Sequence, residues 1–278
     1  MAKETLTATT LGGLKVEAVG ERADFMNILI YGPSGVGKTT LAGSAAAVPE
    51  MGRVVVIDVE GGDMSLTHSY PNAEVVRVTT WKDLQAIYNE LYDQKGAGFG
   101  TCVLDSLTEI QKFSMYGIMG DLIKKEPDRD PDIPSMREWG KNIEQIRRFV
   151  RGFRDLPMNT IFTALDKEDK DGKTGKITIK PSLSGKLAGE VAAFLDIVVY
   201  MYSKEVGVGD DAKLMRLLLT GATEKNIAKD RSGKLPLIVE EPTMRALYDL
   251  MHGKNTLITP ATPTITPATD TELENLVS

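Results

Sequence analysis

The sequence holds a single cysteine, Cys102, in 278 residues, so no disulfide can form within the chain. Two histidines, His68 and His252, stand far apart, which argues against a zinc site built on imidazoles. Aromatic residues make up 6% of the chain against an apolar share of 42%, so the core must be largely aliphatic, as in α/β proteins. No apolar stretch approaches the roughly 20 residues that a membrane-spanning helix needs. The longest, 191–202, is broken by Asp196. The opening residues lack the charged and apolar regions of a signal peptide, and a cytoplasmic location is expected. A net charge of −6 removes bulk electrostatic attraction as a reason to bind nucleic acid, and leaves room for a local basic patch.

What the chain does have is an alternation of short apolar runs and amphipathic stretches. Residues 1–25 carry weak strand signals and several glycines, and read as an arm or edge hairpin. Residues 26–31 form a short apolar run ending at Gly32, which suits a buried strand entering a tight loop. A helix is predicted over 39–47, stopped near Pro49, then strands over 53–59 and 74–78. Leu84, Ile87, Tyr88 and Leu91 fall at helical spacing within 81–95. A strand at 101–104 and a helix at 106–124 follow. The charged segment 125–134 holds three prolines and reads as a loop. A helix over 137–153, with Ile143, Ile146 and Val150 on one stripe, leads to a strand at 159–165. This order predicts an α/β, doubly wound, mostly parallel sheet. Beyond it the style changes to a polar hairpin tip at 166–176, extended chain at 177–180 and a helix over 183–195. Extended runs at 197–202 and 213–220 and a last helix over 243–252 complete the pattern. One domain is therefore expected over 26–253, with a β-rich C-terminal part. The repeated Thr-Pro-Ala-Thr pattern makes 254–278 a disordered, acidic tail.

The strongest signal is the run Gly32, Pro33, Ser34, Gly35, Val36, Gly37, Lys38, Thr39, followed by Thr40. It has the spacing of a phosphate-binding loop. The glycines free the backbone so that successive N–H groups point at one anion. Lys38 supplies a charge for the β- and γ-phosphates of ATP, and the Thr39 hydroxyl a ligand for Mg2+. The helix that follows turns its positive end to the same anion.

Two acids complete the chemistry. Asp105 ends the apolar run Cys102-Val103-Leu104, where a carboxylate at a strand's carboxyl end can hold the magnesium shell through a water. A helix cap is its plainer role. Glu60 ends the run Ile57-Asp58-Val59-Glu60-Gly61-Gly62. It would emerge at the same sheet edge, placed to activate water at the γ-phosphate, or would simply be an exposed loop acid. No acid follows Asp105, where Ser106 stands.

With "Ile-Asp-Val-Glu" at 57–60 and "Val-Leu-Asp-Ser" at 103–106, the chain resembles the RecA-type P-loop core of recombinases and hexameric helicases. The resemblance covers roughly residues 26–240. It implies that Glu60 polarises the attacking water. It also implies that Lys229 and Arg231, in Ala228-Lys229-Asp230-Arg231-Ser232-Gly233, reach a neighbouring subunit's γ-phosphate within a homo-oligomeric ring or filament. A basic surface turn is the alternative for that pair. Two stretches fall where the family keeps DNA-binding loops, 124–134 and 166–186. The second holds Lys167, Lys170, Lys173, Lys176, Lys180 and Lys186, interleaved with Asp166, Glu168, Asp169 and Asp171. These lysines are candidates to track a phosphate backbone, with a solvated hairpin as the bland alternative. The family's polar γ-phosphate sensor is not obvious here, where only Thr163 or Asp166 could serve.

In size, in the Arg-rich segment 139–157 and in the run Pro-Ser-Leu-Ser-Gly-Lys-Leu-Ala-Gly at 181–189, the chain is similar to phage-encoded RecA-like ATPases. Those proteins act in single-strand annealing and recombination. The resemblance implies an ATP- and Mg2+-dependent protein that binds single-stranded DNA in a bacterial host's cytoplasm, with a single-strand-binding protein as a further expected partner. The alternative is an AAA+-like helicase loader or protein remodeller. Glu60 on the second strand, the missing acid after Asp105 and the β-rich segment after the core favour the first reading. A GTP switch is disfavoured because the Asn-Lys-x-Asp base-reading motif is absent.

Overall fold

A computed structural model of the chain describes residues 10–12, 14–16, 25–62, 64–207 and 212–254. Most of the expected arm, and the expected tail from 255 onward, lie outside these residues. Two short strands, β1 (Thr10–Leu11) and β2 (Leu14–Lys15), pair antiparallel. The main body then runs β3 (Asn27–Gly32), α1 (Lys38–Gly43), β4 (Val54–Asp58), α2 (Met64–Thr67), β5 (Glu74–Arg77) and α3 (Trp81–Asp93). It continues with β6 (Thr101–Asp105), α4 (Leu107–Ile123), α5 (Met136–Arg154), β7 (Asn159–Lys170), β8 (Ile177–Pro181) and α6 (Leu187–Phe194). The last elements are β9 (Ile197–Val206), β10 (Lys213–Leu219), β11 (Lys229–Asp230), β12 (Ile238–Glu240) and α7 (Met244–Met251).

One sheet runs in the order β12-β10-β9-β3-β7-β6-β4-β5, with β11 added on β9 and β8 on β7. From β9 to β5 the strands are parallel, and β8, β10, β11 and β12 are antiparallel additions. The α/β, mostly parallel sheet with a strand-rich C-terminal part is as expected. The apolar runs follow from it, because a central parallel strand is covered on both faces. On β3, Leu29 and Tyr31 join the core under α3, α4, α5 and α6, while Ile28 and Ile30 join the core under α1, α2 and α7. Val55 and Ile57 against Val54 and Val56 repeat the alternation on β4. Capping boxes start α3 at Thr80 with Asp83 and α5 at Ser135 with Glu138. Among the described residues no helix is long and apolar enough to cross a membrane.

Three boundaries differ from the sequence expectation. The helix predicted over 39–47 stops at Gly43 and tightens into a 3-10 turn over 44–47, where the Ser44 hydroxyl donates to the Leu41 carbonyl at 2.6 Å. The helix predicted over 183–195 begins only at Leu187. Before it, Ser182 N bonds the Leu165 carbonyl and Ser184 N bonds the Gln111 side chain, which holds this stretch on β7 and α4. The polar hairpin is a longer ladder than expected: β7 pairs with β8 as far as Lys170, and Asp171 closes the tip by accepting from the Lys173 and Thr174 N–H groups. The elements α2 and β12 had no counterpart in the sequence reading.

Candidate nucleotide site

The site sits where the parallel strands end. At the end of β3, a Cβ on Gly32 would overlap the carbonyl oxygen of Met201 on β9, so only glycine lets the two strands close there. Gly37 caps α1 at φ 105°, a conformation that L side chains rarely adopt. Between them Pro33, Ser34 and Gly35 form an exposed crest, Val36 is buried, and Thr39 and Thr40 are half-buried. Lys38 is only 8% exposed. Its ammonium donates to the carbonyls of Gly32 at 2.8 Å and Pro33 at 2.7 Å, closing the loop on itself. Burial holds its pKa below the ordinary lysine value, opposed by the charges of Asp105, Glu60 and Asp166.

The sheet order places β7 between β3 and β6, so β7 delivers Thr163 beside Asp105. Asp105 is 4% exposed and uses both oxygens: Oδ2 accepts from the Thr39 hydroxyl at 2.6 Å, and Oδ1 from the Thr163 hydroxyl. Thr39 and Asp105 thus form a pair of hard oxygen donors, which suits Mg2+. Glu60 is exposed at the end of β4, and its carboxylate accepts from the Ser106 hydroxyl. A buried acid holds the Glu60 loop in place. Asp58 Oδ1 accepts from the N–H groups of Glu60 at 3.2 Å, Gly61 at 2.8 Å and Gly62 at 3.2 Å. Its other oxygen has no hydrogen-bond donor and faces the Arg77 guanidinium at 3.9 Å.

A family model described as "AAA domain" matches residues 24–232, more than half of the chain. The chain belongs to this AAA-domain family. No curated protein matches it in sequence. Among solved structures it is similar to the RadB recombinase at 15% identity, over 78% of this chain and 87% of that one, with a TM-score of 0.43. It is also similar, at 17% identity and a TM-score of 0.40, to an ATPase of the type III secretion system of pathogenic bacteria. That match covers 64% of this chain and 51% of the other. The AAA domain here is a P-loop ATPase domain built on an α/β, mostly parallel sheet.

The remaining sequence-predicted residues of the AAA domain divide: the two sensor candidates border the site, whereas Lys229 and Arg231 lie away from it. Of the two sensor candidates, Thr163 reaches Asp105, whereas the Asp166 carboxylate accepts from the Tyr200 hydroxyl at 3.3 Å. Lys229 and Arg231 sit at the opposite end of β9: Lys229 pairs with Val198, and the Arg231 N–H bonds the Asp196 carbonyl. There Lys229 caps the end of α6 on the Ala192 carbonyl at 2.6 Å, and Arg231 pairs with Asp196 at 3.0 Å. The six lysines of 166–186 do not form one patch. Lys167 is turned inward onto the Leu183 carbonyl, where burial lowers its pKa, and Lys180 pairs with Asp169. Lys170, Lys173 and Lys176 are exposed around the hairpin tip, and Lys186 is exposed at the start of α6. Sequence reasoning assigned no role to Asp58, whose only signal was an acid inside an apolar run ahead of two glycines. It also passed over Arg216, which β10 brings against the P-loop.

Proposed function

We propose that this chain is a Mg2+-dependent ATPase of the RecA type that binds single-stranded DNA and promotes annealing or recombination, of the kind that phages encode. The observation that carries the reading is the convergence of Lys38 and Thr39 from the start of α1, Asp105 from the end of β6 and Glu60 from just past β4 on one edge of the sheet. Thr39 and Asp105 would hold Mg2+, Asp105 through a water. When bound, the ion neutralises charge on the β- and γ-phosphate oxygens. Lys38 leaves the Gly32 and Pro33 carbonyls and turns its ammonium to the phosphates. Glu60 accepts a proton from the attacking water, and Ser106 fixes the orientation of its carboxylate.

Two further features support the reading. Arg231 lies level with Asp196, five residues below Met201 at the P-loop, or about 16 Å along the strand. That is beyond an arginine's reach to its own subunit's phosphates, so any finger role must be played on a neighbour in a homo-oligomer. The β7–β8 hairpin extends from the strand next to β3 and carries three exposed lysines at its tip. After the core come strands β9 to β12 and one helix, the RecA pattern rather than a helical lid. A gel-shift with single-stranded DNA, with and without ATP, tests the proposal. An ATP-dependent shift is expected, and no shift under either condition would remove DNA from it.

A further inference from the structure

Arg216 has no part in the scheme above, yet its side chain lies against the P-loop. A Cβ built on Gly37 would meet Arg216 Nε at 3.2 Å and Cδ at 3.5 Å, with the Met201 methyl at 3.4 Å. The guanidinium therefore borders the glycine that immediately precedes Lys38. Arg216 belongs to β10, opposite Ser203 of β9. It shares its sheet face with Leu218, which packs in the core beneath α1.

The side of the loop on which it stands matters. Asp105, Glu60 and Thr163 come from β6, β4 and β7, all on one flank of β3. They mark the end of the site where the γ-phosphate reacts. Arg216 comes from the other flank, across β9, and so borders the end of a bound nucleotide that carries the α-phosphate and nucleoside.

The cation is also only loosely engaged. Its side chain is 53% exposed, and its facing acid is Glu241, whose Oε2 is 3.9 Å from Nη1. That is an ion-pair distance without a good hydrogen bond. Glu241 is held by the backbone of Arg216 instead: Oε1 accepts from the Arg216 N–H at 2.9 Å, and the Glu241 N–H bonds the Arg216 carbonyl at 2.8 Å. Glu241 sits at φ 40°, one of three described non-glycine residues with positive φ, between β12 and α7. A carboxylate anchored by backbone thus stands beside an under-bonded guanidinium at the edge of a phosphate-binding loop.

We propose that Arg216 is a nucleotide-binding residue supplied by the same subunit. It leaves Glu241 to contact the α-phosphate end of the nucleotide. The proposal rests on the P-loop reading and extends it to a residue outside the motif. Because ATP and ADP share that end, Arg216 governs affinity for both and leaves the chemical step to Lys38 and Glu60. Arg216 acts on KM, and hardly on kcat.

The test is direct binding of ATP and ADP, by titration calorimetry on the full chain, to the parent, Arg216→Ala, Glu241→Gln and Lys38→Ala. Arg216→Ala is expected to raise both dissociation constants by roughly ten- to a hundredfold, as loss of a charge-assisted hydrogen bond does. Glu241→Gln keeps the acceptor for the Arg216 N–H and removes the competing charge, so its dissociation constants should equal or fall below the parent's. Unchanged affinities in an Arg216→Ala protein that melts like the parent would overturn the proposal. So would a parallel loss of affinity in Glu241→Gln, which would mean that the pair only shapes the loop. If the parent binds neither nucleotide, it is the P-loop reading that fails. Parent binding that is lost in Lys38→Ala secures that reading, and the Arg216 result then stands alone.

Discussion

Glu60 is exposed and tied to a single hydroxyl, so its removal leaves the P-loop contacts untouched. Glu60→Gln should bind ATP like the parent in equilibrium titrations and lower turnover by roughly 10²-fold or more. Normal turnover would assign the water to another group. Asp58 acts at one remove, through three backbone N–H groups that fix the Glu60 turn. Asp58→Asn keeps an oxygen at Oδ1, while Asp58→Ala leaves three donors without it. The expected outcome is a kcat near the parent's for Asp58→Asn and well below it for Asp58→Ala, with KM for ATP little changed in either. Equal losses in the two would show that the carboxylate charge, and not the turn, is what matters. The motif residues were legible in the sequence because their spacing is dictated by a phosphate that must be contacted from consecutive backbone positions. Asp58 was not, since an acid whose partners are backbone N–H groups leaves no second residue to find. Arg216 lies 179 positions from Gly37, and only the pairing of β9 with β10 brings them together.

Among elements, the central strands were legible because burial on both faces leaves an apolar run in the sequence, as in β3, β4 and β6. The shortest pieces were not. Four residues of α2 and three of β12 are too few to show a period. The end of β7 was also hidden, because past Leu165 the strand leaves the core and its polar residues read as a loop. What ties that hairpin back is Tyr31, at the end of the P-loop strand. Its buried hydroxyl donates to the Ile227 carbonyl at 2.7 Å and lies 3.3 Å from the Ile179 carbonyl of β8. Burial, with the nearby Tyr200 and Asp166, raises its pKa well above the ordinary tyrosine value. Tyr31→Phe keeps the packing and removes the donor, so it should cost about 1–3 kcal/mol in a denaturant melt. A variant as stable as the parent would mean that the carbonyls find other donors. The exposed tip is a separate matter. Replacing Lys170, Lys173 and Lys176 together by alanine should leave the melt unchanged and weaken single-stranded DNA binding. The slope of log affinity against log salt should become shallower by roughly 2, given about 0.7 per phosphate contact on a single strand. An unaltered slope would take the hairpin tip off the DNA path.

For the whole molecule, the sheet separates two groups of candidate residues at opposite ends of its strands. The P-loop, Asp105 and Glu60 lie at the carboxyl ends of the parallel strands, and Lys229 and Arg231 lie beside the amino end of β9. In one subunit the two cations cap α6 and pair with Asp196. An exposed ion pair of this kind contributes little stability, so Arg231 is free to exchange Asp196 for a neighbour's phosphate at small cost. Sequence pattern could suggest the pair but not its direction of action, which depends on which edge β11 joins. If the role is played on a neighbour, Arg231→Ala should bind nucleotide normally and hydrolyse it poorly, because such a finger supplies about 10³-fold or more in phosphoryl transfer. Lys38→Ala should be inactive for the opposite reason, with an intact finger and a disabled loop. Mixing the two inactive proteins decides the matter. At a junction where the Arg231→Ala subunit supplies the P-loop and the Lys38→Ala subunit supplies the finger, every catalytic group is present. ATP hydrolysis should therefore recover in part, and most strongly near equal amounts of the two. A residue that acts only within its own subunit cannot be rescued in this way. Mixed oligomers that form, as read by co-purification of differently tagged chains, and yet stay inactive would remove Arg231 from the neighbour's site.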